Sequence, residues 1–195
     1  MSETQAIDWE SRYRDKTAGW ERHGINPAFL AWRDSGALAP CRILIPGGGR
    51  SLEPLALAEA GFEVTVVDAA PSAVAAQRAH FERLKLRAQV EQADLFAWDP
   101  VSPFDAVYDQ TCLCALPPGL WPSYARRLHR WLRPDGTLFI LFMQSDRPSG
   151  PPFHCPIEAM RRLFAAPAWR WPDTVPGLVA HPSGLTEQPA ALHRR

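Results

Sequence analysis

The sequence lacks a surplus of either charge: 21 Lys and Arg face 21 Asp and Glu across 195 residues. A nucleic-acid binder needs a basic surface to capture phosphates, so the balance excludes the usual electrostatic footprint of that class. Long apolar runs are missing too. The longest, "LFILFM" at 138–143, is far below the roughly 20 residues of a membrane span. The opening "MSETQAIDWE" has no basic stretch leading into an apolar one, as a secretory leader would. These absences predict a soluble, cytoplasmic protein with a small-molecule substrate and no nucleic-acid or membrane partner; the oligomeric state is left unknown, with a monomer favoured. Cysteine is scarce. Cys41, Cys112, Cys114 and Cys155 show no CxxC spacing and are too few for a disulfide framework, so they read as buried free thiols and no metal is expected.

What is present is a hydrophobic content of 46%, enough for one full core, and 20 prolines that punctuate the loops. "CRILI" (41–45) and "EVTVV" (63–67) are rich in β-branched residues, and the first is nearly all apolar, as expected for a parallel strand covered on both faces. Between them lie three glycines and a helical "LEPLALAEAG". Ahead of them, "NPAFLAWRDSG" carries an Asn26 cap, Pro27 at the first helical position and a terminating Gly36. A helix follows at 71–86, with Val74, Phe81 and Leu84 near one face. A weaker strand is expected at 88–94, a fourth at 104–109, a helix carrying Leu120, Tyr124, Leu128 and Trp131 on one face, and a fifth strand in "DGTLFILFM". One more helix is expected after Pro156, and the proline-rich last thirty residues predict no more than one or two short strands. The alternation implies an α/β fold, a doubly wound, mostly parallel sheet with helices on both faces.

In such sheets ligands bind at the carboxyl ends of the strands. Glycines at 47–49 let a backbone pass close beneath a ligand, which makes Gly47 and Gly49 candidate cofactor residues. A dinucleotide fingerprint would place a third glycine at Leu52, and the carboxylate of Glu53 is poorly suited to a pyrophosphate, so a nucleotide-dependent oxidoreductase is disfavoured. Asp68, ending the second strand, suits a ribose diol; its structural alternative is a cap for the helix at Pro71. Asp94 would meet an adenine amino group, with Leu95 or Phe96 on the ring face.

The segments "ILIPGGG", "VTVVDAAPSAV", "QADLF", "FDAVYD" and "LRPDGTLFI" resemble the class I S-adenosylmethionine-dependent methyltransferases. "WESRYRDKTAGWERHGINPAFL", "FDAVYDQTCLCAL" and "SGPPFHCPIEAM" are similar to the thiopurine and thiol/halide branch, over roughly residues 9 to 165. The resemblance implies a Rossmann-like fold in a single domain: an aromatic lid and helix over 1–36, a cofactor core over 41–143 and a substrate-side segment over 144–195. It implies S-adenosylmethionine as cofactor and methyl transfer to a small soft nucleophile, a thiol by preference. Trp9, Tyr13 and Trp20 would form the lid, where aromatic faces hold a cation worth about 0.5–2 kcal/mol. The alternative is that these rings simply pack on the sheet edge. Asp109 would serve both cofactor and catalysis, and Gln110, Arg147 and His154 would face or orient the acceptor. Cys112 and Cys114 would line a wall. Three positions depart from the pattern: Gly48 for the usual cysteine, Gln110 where plant-type members often have tyrosine, and Phe153 for a frequent tyrosine. With the short tail, these departures keep a second reading open, a cofactor-binding module without turnover.

Overall fold

A computed structural model describes residues 7–195. Residues 1–6 of the expected lid lie outside the described residues. The chain runs α1 (Trp9–Arg14), α2 (Pro27–Asp34), β1 (Arg42–Pro46), α3 (Glu53–Glu59), β2 (Glu63–Asp68), α4 (Pro71–Leu84), β3 (Gln89–Gln92), β4 (Phe104–Asp109), α5 (Trp121–Trp131), β5 (Leu132–Gln144), α6 (Ile157–Leu163), β6 (Trp169–Arg170), β7 (Val179–Ala180) and β8 (Thr186–Arg194).

All eight strands join one sheet, in the order β3-β2-β1-β4-β5-β8-β6, with β7 on β8. β1 through β5 pair in parallel, and β8 inserts antiparallel between β5 and β6. The expected α/β sheet is therefore present. Helices cover both faces because β1, β2 and β4 are apolar on both sides. On one face α2, α3 and α4 bury Phe29, Trp32, Leu57 and Phe81 against Ile43, Val66 and Tyr108. On the other, α5 and α6 bury Tyr124, Leu128, Trp131 and Met160 against Leu44, Val107 and Ile140. Each fully buried side chain of this size stabilises the fold by roughly 1.5–3 kcal/mol.

Asn26 caps α2 as expected, its side-chain oxygen accepting from the Ala28 N–H at 2.9 Å. Two helix faces differ from expectation by one residue at an end. Leu84 is 38% exposed at the last position of α4, and Gln77 takes the buried place between Val74 and Phe81. Leu120 is 41% exposed because α5 starts one residue later, so Trp121 is buried instead.

The tail holds the larger correction. β8 is nine residues long and pairs with β5 from Thr137↔His193 to Gln144↔Thr186, where only short strands were expected. Pro189 is accommodated because it falls between the stretches of β8 flanked by β7, at 186–187, and by β6, at 193–194. No helix among the described residues is long and apolar enough to cross a membrane.

Candidate active site

The turn after β1 is held open in a conformation that glycine favours. Gly47 and Gly49 have φ of +57° and +54°, in the left-handed region. The Gly47 N–H donates to the Val67 carbonyl at 2.8 Å, which ties the turn to the end of β2. A Cβ on Gly48 would lie 2.5 Å from Val66 Cγ1, so the side chain expected there from the resemblance has no room here. A Cβ on Gly49 would lie 2.6 Å from Tyr13 Oη, which places the lid tyrosine directly over the bare backbone.

Asp68 sits beside this turn, 8% exposed. One carboxylate oxygen accepts from the Gly49 N–H and the other from the Ala70 N–H, both at 2.8 Å. Burial pushes its carboxyl above the ordinary range against those hydrogen bonds. It therefore fastens the glycine turn to the entry of α4, and each oxygen keeps lone-pair capacity for a further donor. Gln77, which sequence reasoning passed over, completes the brace. Its amide donates to the carbonyls of Gly49 at 3.1 Å and Ser51 at 2.8 Å, and its buried oxygen has no partner. A polar residue on the apolar face of α4 was the signal that could have found it.

The lid rings come together. Trp9 and Tyr13 each meet Trp20 edge-on, at 5.6 and 5.7 Å, and the trio packs on Ala70 and Ala73 at the start of α4. Of the three, Tyr13 lies over the glycine turn. Glu10 reaches across to accept from the Ser72 N–H (3.0 Å) and hydroxyl (2.9 Å), supplying α4 with a cap its own Ala70 lacks. Arg50 stacks over Tyr13 at 4.7 Å and approaches Glu21 at 3.8 Å.

Beyond β3, Asp94 is exposed and accepts from the Phe96 N–H at 2.8 Å, and Leu95 is buried in the core. Asp109 is fully buried. One oxygen accepts from the N–H groups of Cys112 (3.1 Å) and Leu113 (3.3 Å), the other from the Tyr124 hydroxyl (2.8 Å). Burial raises its pKa to about 6. Its present contacts organise the 110–116 loop. Gln110 is half-buried and accepts from the Tyr108 hydroxyl at 2.6 Å. His154 accepts from the Ser145 N–H at 3.1 Å, bracing the loop after β5, while Arg147 is exposed and contributes only its own N–H, to Ser145 Oγ at 3.4 Å. The structure thus gathers Gly47, Gly49, Asp68, Trp9 and Trp20 in one region and leaves Arg147 outside it. All four cysteines are free, and Cys112 abuts Gly47, with Sγ 2.9 Å from where a Cβ would lie.

A second polar group occupies the same edge beside β8. Glu187, fully buried, has one oxygen bound by Arg22 (3.0 Å) and Asn26 (3.2 Å) and the other without a partner. Glu53, also buried, accepts from the Asn26 N–H at 2.8 Å. Arg22 also donates to the Ala180 carbonyl. Two surface concavities, of about 430 and 550 Å³, lie at the opposite edge beside His193 and Leu86 and touch none of these groups. Among the described residues no group of three or more His, Cys, Asp or Glu is placed to hold a metal.

The family model of thiopurine S-methyltransferase matches residues 4–174. The chain belongs to this family. Among its family relatives, a probable thiol methyltransferase 2 of Arabidopsis thaliana is 28% identical over 167 residues, 84% of this chain and 74% of the relative. A thiopurine S-methyltransferase of Vibrio cholerae is 30% identical over 172 residues, 80% of this chain and 79% of the relative. The fold is shared with the Burkholderia thailandensis 1,6-didemethyltoxoflavin-N1-methyltransferase solved with S-adenosylhomocysteine, at TM-score 0.76 and 24% identity, over 94% of this chain and 84% of that one. This thiopurine S-methyltransferase family member is an S-adenosylmethionine-dependent methyltransferase. The residues present fit that cofactor: a side-chain-free glycine turn, a carboxylate at the end of β2 with spare acceptor capacity, and a cap of aromatic rings.

Proposed function

We propose that the chain methylates a small thiol, working as one domain whose carboxyl edge holds cofactor on the β1–β2 side and acceptor toward β8. The observation that carries this reading is the aromatic lid seated on the glycine turn, with Tyr13 Oη over Gly49. Bound S-adenosylmethionine would supply a methyl on a cationic sulfonium, whose sulfur leaves as a neutral sulfide when a nucleophile attacks the methyl carbon in line. The protein's task is then positioning and dryness rather than obligatory acid or base work. Gly47, Gly49 and Asp68 would hold the cofactor, with Asp94 and Leu95 at its base end. Trp9, Tyr13 and Trp20 would exclude water and face the positive charge. Asp109 would hold the loop that frames the reacting centre, and Gln110 would meet the acceptor. Thiol and thiopurine methyltransferases among the relatives support a soft sulfur nucleophile.

The test is calorimetric titration with S-adenosylmethionine and S-adenosylhomocysteine, followed by methyl transfer to a panel of thiols, halides and oxyanions. Binding with turnover of a thiol is expected. Binding without turnover of any acceptor would leave only a cofactor-binding module.

A further inference from the structure

Glu187 stands apart from the other buried carboxylates. It projects from β8 opposite Met143, on the face of the sheet that carries Tyr108. β4 pairs with β5 at Asp109↔Ile140, so Gln110 is level with Leu141 and its partner Pro189, and Glu187 stands one pleat beyond, across β5. That is the carboxyl edge, beside the end of the strand where the acceptor is read above. Oε2 is held by the Arg22 guanidinium and the Asn26 amide, while Oε1 is sealed from solvent with no donor in reach. Leaving a buried acceptor unmatched costs roughly 1–3 kcal/mol, so an unmatched oxygen at this edge points to a donor that arrives with a ligand.

We propose that Glu187 is a catalytic proton acceptor, its free Oε1 taking the hydrogen of a neutral thiol as the sulfur attacks the methyl. This rests on the thiol reading given above. The acceptor's S–H bond breaks, its proton bonds to Oε1, and its electron pair forms the new S–CH₃ bond; the carbon releases its former bonding pair to the donor sulfur, cancelling the positive charge there. The proton then passes from Oε1 to bulk water before the next turnover.

The surroundings suit the task. The groups around Glu187 are Arg22 and Asn26 from the lid side, Glu53 from α3, Tyr108 from β4 and Cys114 from the following loop, with His181 beside Arg22. Burial outweighs Arg22 and, with the neighbouring Glu53, brings the carboxyl to about 7. A base works best when its pKa lies near the working pH. Arg22 is a positioning residue: it holds Oε2 at 3.0 Å and leaves Oε1 as the oxygen without a donor.

The experiment compares two thiols in wild type and Glu187→Gln: 2-mercaptoethanol, protonated at neutral pH, and 5-thio-2-nitrobenzoate, already a thiolate. Wild-type kcat/KM for 2-mercaptoethanol should rise to a plateau above pH about 7. In Glu187→Gln it should fall about 10²-fold at neutral pH and climb with the thiol's own ionisation, without a plateau. Turnover of the thiolate should be nearly unchanged. Infrared titration of the cofactor-free protein gives a readout independent of turnover: a protonated-carboxyl band lost near pH 7 in wild type and missing from the variant. Equal losses on both thiols, or a wild-type profile that keeps rising to the thiol's own pKa, would overturn the proposal. If wild type binds cofactor and methylates neither thiol, the thiol reading fails first and takes this step with it. The wild-type profile and spectrum stand even if the variant does not fold.

Discussion

Asp109 and Glu187 are both fully buried acids at the carboxyl edge, one beside α5 and the other beside α2, and their surroundings divide the edge into two kinds of region. Around Asp109 both oxygens are used by three donors of the scaffold. Around Glu187 one oxygen is used and the other is left open, with His181 Nε2 and Arg22 Nε also buried and unpartnered in the same neighbourhood. Burial raises the pKa of both acids, to about 6 and about 7, so burial does not separate framework from site. What differs between these two acids is how many of their oxygens are hydrogen-bonded.

Four substitutions or titrations would break or sharpen that contrast. Asp109→Ala should be the most damaging, costing about 3–5 kcal/mol by urea melts because it orphans two N–H groups and the Tyr124 hydroxyl; a loss under about 1 kcal/mol would end the framework role. Next is the pH dependence at Glu187. Its folded pKa of about 7 lies above the ordinary 4.5, so the folded state holds the proton more tightly and this carboxyl's contribution to stability declines as pH rises between those values. Relative to wild type, Glu187→Gln should gain about 3 kcal/mol across that window, and parallel stability curves would show the group is not shifted. Asp68→Ala should weaken S-adenosylmethionine binding by about 1.5–3 kcal/mol in calorimetry, and unchanged affinity would remove it from the cofactor site. Gly48→Ala should cost about 1–3 kcal/mol through its clash with Val66, and Val66→Ala in the same chain should recover most of it.

Much of the first region was legible in the sequence because its signals are local. The strand ending at Asp68, the glycines before it and "FDAVYD" each announce themselves within a few residues, and β4 spans the expected 104–109. The cap at Asn26 was legible for the same reason. The second region was not, because Arg22, Asn26, Glu53 and Glu187 meet only after β8 inserts beside β5, 161 positions separating Asn26 from Glu187. β8 itself was hidden by Pro189, whose ring argues locally against a strand and is tolerated only through the way β6 and β7 flank it. Leu84 and Leu120 show the other limit: a helical face names the buried stripe but not where the helix stops.

The Glu10 contact to Ser72 makes the first turn of α4 dependent on a residue about sixty positions earlier. Without Glu10 in place, the Ser72 amide would have no acceptor and would trade its hydrogen with solvent more readily. That single amide therefore reports on the contact between α1 and α4, and its exchange rate with and without cofactor would show whether binding tightens that contact, without a label or a substrate.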